Sequence, residues 1–446
     1  MVRKSDKGIG FWSVVAIGIG GMVGGGIFAV LGLAVQLAKG GTPVAFFLAG
    51  LVALVTSYSY ARMSVTFPSQ GGTVEFLNQG FGSGMITGAL NVLLWISYIV
   101  MLSLYAHAFG SYGASFFPDA WHVVAHHALM SAAIVGLALL NAVGATVVGE
   151  AEEWIVGAKV TILLLFVVAG IWSVSGARIA PATWAAPLQL AAGGMIIFLA
   201  YEGFELIANT AQDVREASRI LPRAYLAAVV FVIVLYVLVS LVTVGNLSED
   251  RIVGARDYAL AVAAKPFLGQ TGFVLIGVAA MLSTASAINA TLYGAARVSY
   301  IIAKDGELPQ ELERNVWHRP LRGLIITTAA ALLLANWVNL SNISIMGSAG
   351  FLIIFAAVNA ANAVCARQTQ SRAWLSILGA VACLAALGAL VWERAREHAL
   401  ELWVLAAMVG LAVAIEAIYR AATGRSIRPF HQRRGHGRRN DPAIRQ

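Results

Sequence analysis

The sequence predicts an all-α polytopic membrane protein with twelve transmembrane helices. Three observations carry that expectation. Hydrophobic residues fill 59% of the 446 positions, charged residues only 12%, and apolar runs of bilayer-spanning length, about 20 residues each, recur along the whole chain. Soluble domains carry roughly a quarter of their residues as charges, so no soluble domain of useful size fits between these runs.

The first run covers 11–36, behind Arg3, Lys4 and Lys7. It lacks a small-residue cleavage site and continues far past signal-peptide length, so it is read as a retained helix. The remaining spans are expected at 43–66, 84–117, 129–149, 154–175, 190–212, 223–246, 271–303, 322–340, 343–365, 373–392 and 398–420. With the N-terminus inside, 22 of the 30 Lys and Arg residues fall in cytoplasmic segments, seven outside and one, Lys159, within a span. The positive-inside rule then predicts a multi-pass protein of the cell membrane with both termini cytoplasmic. The expected organisation is a cytoplasmic N-terminus (1–10), a core of ten helices (11–365), two appended helices (366–420) and a basic tail (421–446).

The net charge of +8 does not point to nucleic acid. Much of it lies in the tail "RPFHQRRGHGRRN", where a juxtamembrane basic run suits anionic lipid headgroups. Cys365 and Cys383 have neither metal spacing nor a disulfide pattern and read as packing residues. His122, His126 and His127 share a helical spacing in an outer connection, but only Asp119 is nearby to complete a site, so a solvated surface is expected and no metal. No Ser/His/Asp constellation, metal motif or phosphate loop supports an enzyme or a cofactor. A glycine-rich channel filter is the other membrane class, but such filters are generally assembled from repeated subunits. Nothing in the sequence calls for an obligate protein partner.

The first span holds "GIGGMVGGGIF", with Gly18, Gly20, Gly21, Gly24, Gly25 and Gly26 inside nine positions. Each interior glycine costs a helix up to about 1 kcal/mol relative to alanine. Two readings stay open. Gly20 with Gly24, and Gly21 with Gly25, are small-xxx-small pairs that let backbones touch. Alternatively, the helix is discontinuous and its unwound backbone lines a polar cavity, which the membrane allows only where those groups find internal partners. The GxGxxA match at Gly24–Ala29 has no preceding strand and carries no dinucleotide signal.

The sixth span, "AAGGMIIFLAYEGFELIANTAQDV", shifts the balance toward discontinuity. Glu202 and Glu205 flank Gly203 at membrane depth, where carboxylates must pair or face a cavity. The first and sixth spans correspond in two five-helix halves, about 11–175 and 190–365, and both are interrupted near the middle. That pattern indicates a transporter built on inverted repeats. A half-helix starting near Gly26 aims free amides at a carboxylate, and glycine admits the small anion to them. Carbonyls freed near Gly20 to Met22 and near Phe198 to Glu202 can accept from an ammonium. The expected ligand is a small zwitterionic amino acid.

Lys159 stands in "EWIVGAKVTILLLF". It either snorkels to the nearby helix end or is a buried amine that gains and loses a proton during a cycle. As a cation it needs acceptors, which the unwound first-span carbonyls and the hydroxyls of Ser283 and Ser286, spaced i, i+3 on one face, can supply. Such a lysine can do the work of a sodium ion in holding the first span, with protons as the coupling species.

On these residues the chain resembles the amino acid–polyamine–organocation permease family, most closely its ApcT-like, sodium-independent, proton-coupled members. The resemblance covers nearly the whole chain and rests on "GGMVGGGIF", Lys159, "FLAYEGFE", and the long stretch 259–309 ending "AKDGELP". It implies a LeuT-like fold, a substrate carboxylate on the amides of Gly24, Gly25 and Gly26, and a substrate amine on carbonyls of Met22, Phe198 and Glu202. It also implies that Lys159 lies near the carbonyls of Gly20 and Val23 and near Ser283.

The chain departs from the family pattern at Ala217-Ser218, where Asn-Pro is usual, and at Glu202, where an apolar residue is expected. Related basic amino acid and polyamine exchangers place a glutamate at the position of Glu205. A cationic substrate recognised by Glu202 and Glu205 therefore stands beside a neutral one; the two acids can instead serve the helix dipole or a proton path. Tyr201 and Phe204 are candidates for an aromatic gate or for packing, and Trp95 and Tyr98 for pocket lining or core.

Overall fold

The computed structural model describes residues 8–82, 84–143, 148–305, 321–397 and 402–423. Arg3, Lys4 and Lys7, the "GELP" end of the family stretch and the tail beyond Thr423 lie outside the described residues.

Among the described residues the chain is helical, and pairing of extended backbone is confined to two isolated bridges, Ile9 with Val214 and Lys39 with Trp184. The elements run α1 (Phe11–Met22), α2 (Gly26–Ala38), α3 (Thr42–Thr66), α4 (Thr73–Phe81), α5 (Met85–Ala114), α6 (His122–Val143), α7 (Val148–Gly170) and the short α8 (Gly176–Ile179). There follow α9 (Pro187–Ile196), α10 (Ala217–Asn246), the short α11 (Glu249–Gly254), α12 (Ala259–Asp305), α13 (Leu321–Trp337), α14 (Leu340–Val364), α15 (Ala373–Glu397) and α16 (Leu402–Thr423).

Among the described residues ten helices are long and apolar enough to cross a membrane. The pair α1 and α2, bent by 45°, forms an eleventh, and the shorter apolar α13 stands where the ninth span is expected. The expected eighth span begins inside α12, whose track starts twelve residues earlier and bends at Gly269. Its φ of 62° is one that glycine adopts without a Cβ clash.

Burial separates the centre from the periphery, a distinction hydropathy alone cannot make. The spans Pro187–Asp213 and Leu340–Val364 have 89% and 83% of their apolar windows buried, against 28% for Ala373–Arg396 and 22% for Leu402–Ala422. Lipid-facing apolar side chains cost nothing in hydrocarbon, so the outer helices keep residues such as Trp172, Trp337 and Trp403 exposed. At the centre α1 packs on Ile197–Asp213 and on α10, α10 on α3, and α12 on α5 and α7.

The sixth span corrects one expectation. It is not interrupted by an unwound gap; after α9 it continues as a 3-10 helix from Ile197 to Asp213. A 3-10 run of this length has poorer internal hydrogen bonds and is uncommon, and here side chains from other helices assist it. Ser348 Oγ donates to the Ile196 carbonyl at 2.6 Å and Tyr236 Oη to the Ala200 carbonyl at 3.3 Å.

A second correction concerns the histidines. The fourth span begins near His122 rather than at 129, so His122 and His126 are half-buried on α6 rather than solvated. His126 Nδ1 lies 3.2 Å from Ser111 Oγ on α5. Among the described residues no three His, Cys, Asp or Glu side chains gather as metal ligands.

Candidate functional site

The break in the first span occupies Val23, Gly24 and Gly25, between α1 and α2. The last carbonyls of α1 lose their intrahelical partners there, and three side chains from three other helices meet them. Lys159 Nζ on α7 donates to the Gly20 carbonyl at 2.9 Å. Tyr236 Oη on α10 donates to the Met22 carbonyl at 2.6 Å. Ser283 Oγ on α12 reaches the Val23 carbonyl at 2.7 Å and also the Gly24 carbonyl. Lys159 is 1% exposed, so it does not snorkel to a wet helix end.

The glycines serve close packing as well as the break. A Cβ at Gly21 would stand 2.5 Å from the Gly203 carbonyl oxygen, and one at Gly26 2.6 Å from Ala200 Cα. At Gly24 it would meet Ala287 Cβ at 3.0 Å, and at Gly25 it would run into the ring of Tyr105. The expectation of an open approach to these amides therefore needs revision: Tyr105 covers Gly25. Both readings of the stretch apply to the same residues, because the backbone that breaks is also the backbone that is touched.

Glu202 and Glu205 are buried on the 3-10 segment. Residues i and i+3 eclipse in that winding, which stacks the two carboxylates. Their surroundings differ. Glu205 accepts from Tyr98 Oη at 2.6 Å, Thr73 Oγ1 at 3.1 Å and Tyr60 Oη at 3.3 Å. Glu202 Oε1 accepts from Tyr105 Oη at 3.0 Å, while Oε2 is buried with no hydrogen-bond partner.

A cavity of about 20 Å³ opens beside Glu202, between α1, α5, the 3-10 segment and α12, with room for about one water. Gly20, Gly21, Tyr98, Tyr105 and Ser286 line it. The expected site residues thus divide: Gly20, Glu202 and Ser286 border one cavity, and Met22, Val23, Lys159 and Ser283 form the hydrogen-bonded frame beside it. Phe198 is fully buried and packs on Phe355. Tyr201 does not border the cavity; its hydroxyl donates to the Phe46 carbonyl at 2.9 Å and its ring packs on Tyr236, so it packs where a gate was one alternative.

Comparison with known proteins decides the family. A family model described as amino acid permease matches residues 9–414. The chain belongs to the amino acid permease family. As a permease it is a multi-pass transporter of amino acids or related substrates. Among curated relatives, a protein of uncharacterised function from Methanocaldococcus jannaschii is 34% identical over 432 residues, covering 95% of this chain and 98% of the relative. The inner membrane transport protein YbaT of Escherichia coli is 36% identical over 359 residues, 80% of this chain and 83% of the relative. The serine/threonine exchanger SteT of Bacillus subtilis is 26% identical over 311 residues, 68% and 69% of the two chains.

In this permease four further hydroxyl donors of the site, Tyr60, Thr73, Tyr105 and Tyr236, carry no signal in the sequence that marks them, unlike Tyr98 and Ser283. Tyr236→Phe tests one of them. It removes the donor shared by the Met22 and Ala200 carbonyls, and an unsatisfied buried acceptor costs about 1–3 kcal/mol. A lowered Tm of the detergent-solubilised protein is expected, without loss of expression.

Proposed function

We propose that this permease carries amino acids by alternating access, coupled to protons and independent of sodium. The observation that carries the reading is the 2.9 Å bond from buried Lys159 to the Gly20 carbonyl at the break. Sodium sites in discontinuous helices are built from freed carbonyls and hydroxyls; here an ammonium takes that role, with Ser283 on the adjoining carbonyls. Protonated, Lys159 holds α1 through a charge-assisted bond; neutral, it loses that strength and α1 is freer to move. The substrate carboxylate is assigned to the amides of Gly24, Gly25 and Gly26 once Tyr105 swings from Gly25. Its α-ammonium is assigned to the carbonyls near Met22, Phe198 and Glu202, since a carbonyl with one donor keeps a second lone pair.

Five-helix repeats at about 11–175 and 190–365, placement in the cell membrane and cytoplasmic termini belong to the same reading. It is a carrier rather than an enzyme, with protons and a small amino acid as its ligands. Purified protein in liposomes is expected to accumulate labelled amino acid under an inward proton gradient in sodium-free buffer, with saturation. Uptake that requires sodium, or an unsaturable ohmic current, contradicts it.

A further inference from the structure

We propose that Glu202 determines substrate specificity: its Oε2 takes a second positive charge on the substrate, so that amino acids with a cationic side chain are favoured over neutral ones of the same length. This rests on the transporter reading above and refines its substrate class.

The two carboxylates of the sixth span are not equivalent. Glu205 is enclosed by three hydroxyl donors from α3, α4 and α5, which leaves it little capacity for a ligand. Glu202 has one donor, Tyr105, on Oε1; its Oε2 is buried without a partner, and the residue borders the cavity. An orphaned carboxylate oxygen at membrane depth is costly unless something cationic meets it. The α-ammonium does not need this oxygen, because the carbonyls of the break already serve it. A second charge does.

At about 20 Å³ the cavity holds about one water as it stands, so a substrate side chain enters only as the cavity widens, but the character of its walls suits a charged head on an aliphatic stem. Leu206, Ala287 and Ala290 line it with apolar surface, while Ser286 and Thr291 add hydroxyls. Methylenes lie well against such a wall while the terminal ammonium meets the carboxylate and hydroxyl oxygens. Tyr105 ties the two ends of the site together. Its ring covers Gly25 and its hydroxyl occupies Glu202 Oε1, so moving it for the substrate carboxylate also frees a second oxygen of Glu202 for the cation.

The test compares uptake of labelled lysine and labelled norleucine, which lacks the terminal amine, by the full chain in liposomes. The ratio of kcat/KM values is read in wild type, Glu202→Gln and Glu205→Gln. Lysine is expected to be favoured by about tenfold or more in wild type, the worth of one charge-assisted contact. The ratio should fall to within about twofold in Glu202→Gln, and the Glu205→Gln ratio should stay with wild type. If Glu202→Gln transports neither compound, the same ratio is taken from competition binding to detergent-solubilised protein.

Equal uptake of lysine and norleucine by wild type overturns the inference, as does a lysine preference that survives Glu202→Gln or disappears in Glu205→Gln. Entry of other amino acids but neither of these two overturns it as well, leaving the transporter reading in place. No uptake of any amino acid under a proton gradient removes both.

Discussion

Lys159→Ala is expected to reduce uptake driven by a proton gradient at least tenfold, about the worth of a charge-assisted hydrogen bond, and to free any residual uptake from external pH. The reason is the position of Nζ, 2.9 Å from the Gly20 carbonyl in a site 1% exposed. Four carbonyls around the break, those of Gly20, Met22, Val23 and Gly24, are met by Lys159, Tyr236 and Ser283. Of these three groups only the lysine is a cation that loss of a proton neutralises; the tyrosine and serine hydroxyls are neutral donors. Removing it leaves α1 tied at its far end by neutral bonds that no proton gradient modulates. Lys159→Arg separates coupling from packing: it keeps a permanent charge at the break, so substrate binding is expected to persist while gradient-driven accumulation is lost. Unchanged pH-dependent uptake in Lys159→Ala contradicts the coupling role.

Much of that contact is legible in the sequence. A lysine inside an apolar run has few partners available in a membrane, and a glycine-rich break supplies the carbonyls it needs, so the residues point Lys159 to the first-span carbonyls and the family resemblance narrows these to Gly20 and Val23. Ser283 was legible for the same reason. The tyrosines were not. Tyr60, Tyr105 and Tyr236 sit in runs where an aromatic faces lipid, core or a cavity with equal ease, and only the packing of α3, α5 and α10 aims their hydroxyls at Glu205, Glu202 and Met22. The winding of the sixth span was also out of reach. Glycine and two acids signalled a departure from the α-helix, but whether the chain gaps or tightens depends on donors as distant as Ser348 on α14. The eighth and fourth expected spans start furthest from their helices, because in both the apolar run begins several residues after the helix that carries it.

Gly203→Val is expected to destabilise the protein by about 3 kcal/mol or more, the range of a severe overpacking defect, and Gly25→Ala far less. At Gly203 a Cβ would overlap the carbonyl group of Gly21 and stand 2.5 Å from the Met22 amide nitrogen. Both partners are backbone, so no rotamer change relieves the clash. The reciprocal contact, a Cβ on Gly21 at 2.5 Å from the Gly203 carbonyl, marks the point where α1 and the 3-10 segment touch main chain to main chain. Forcing them apart pulls Met22 from Ala200, the two carbonyls that Tyr236 bridges, and disturbs the frame that Lys159 and Ser283 complete. At Gly25 the obstruction is the Tyr105 ring, a side chain that can turn away. Gly25→Ala is therefore expected to fold, to release Tyr105 from Glu202, and to show its defect in substrate binding. Measuring Tm and binding for both variants separates the roles: a loss of stability at Gly203 with a loss of affinity at Gly25 means that Gly203 and Gly21 hold the crossing of α1 with the 3-10 segment while Gly25 serves the ligand. A Gly203→Val protein as stable as wild type would mean that the two backbones do not meet there.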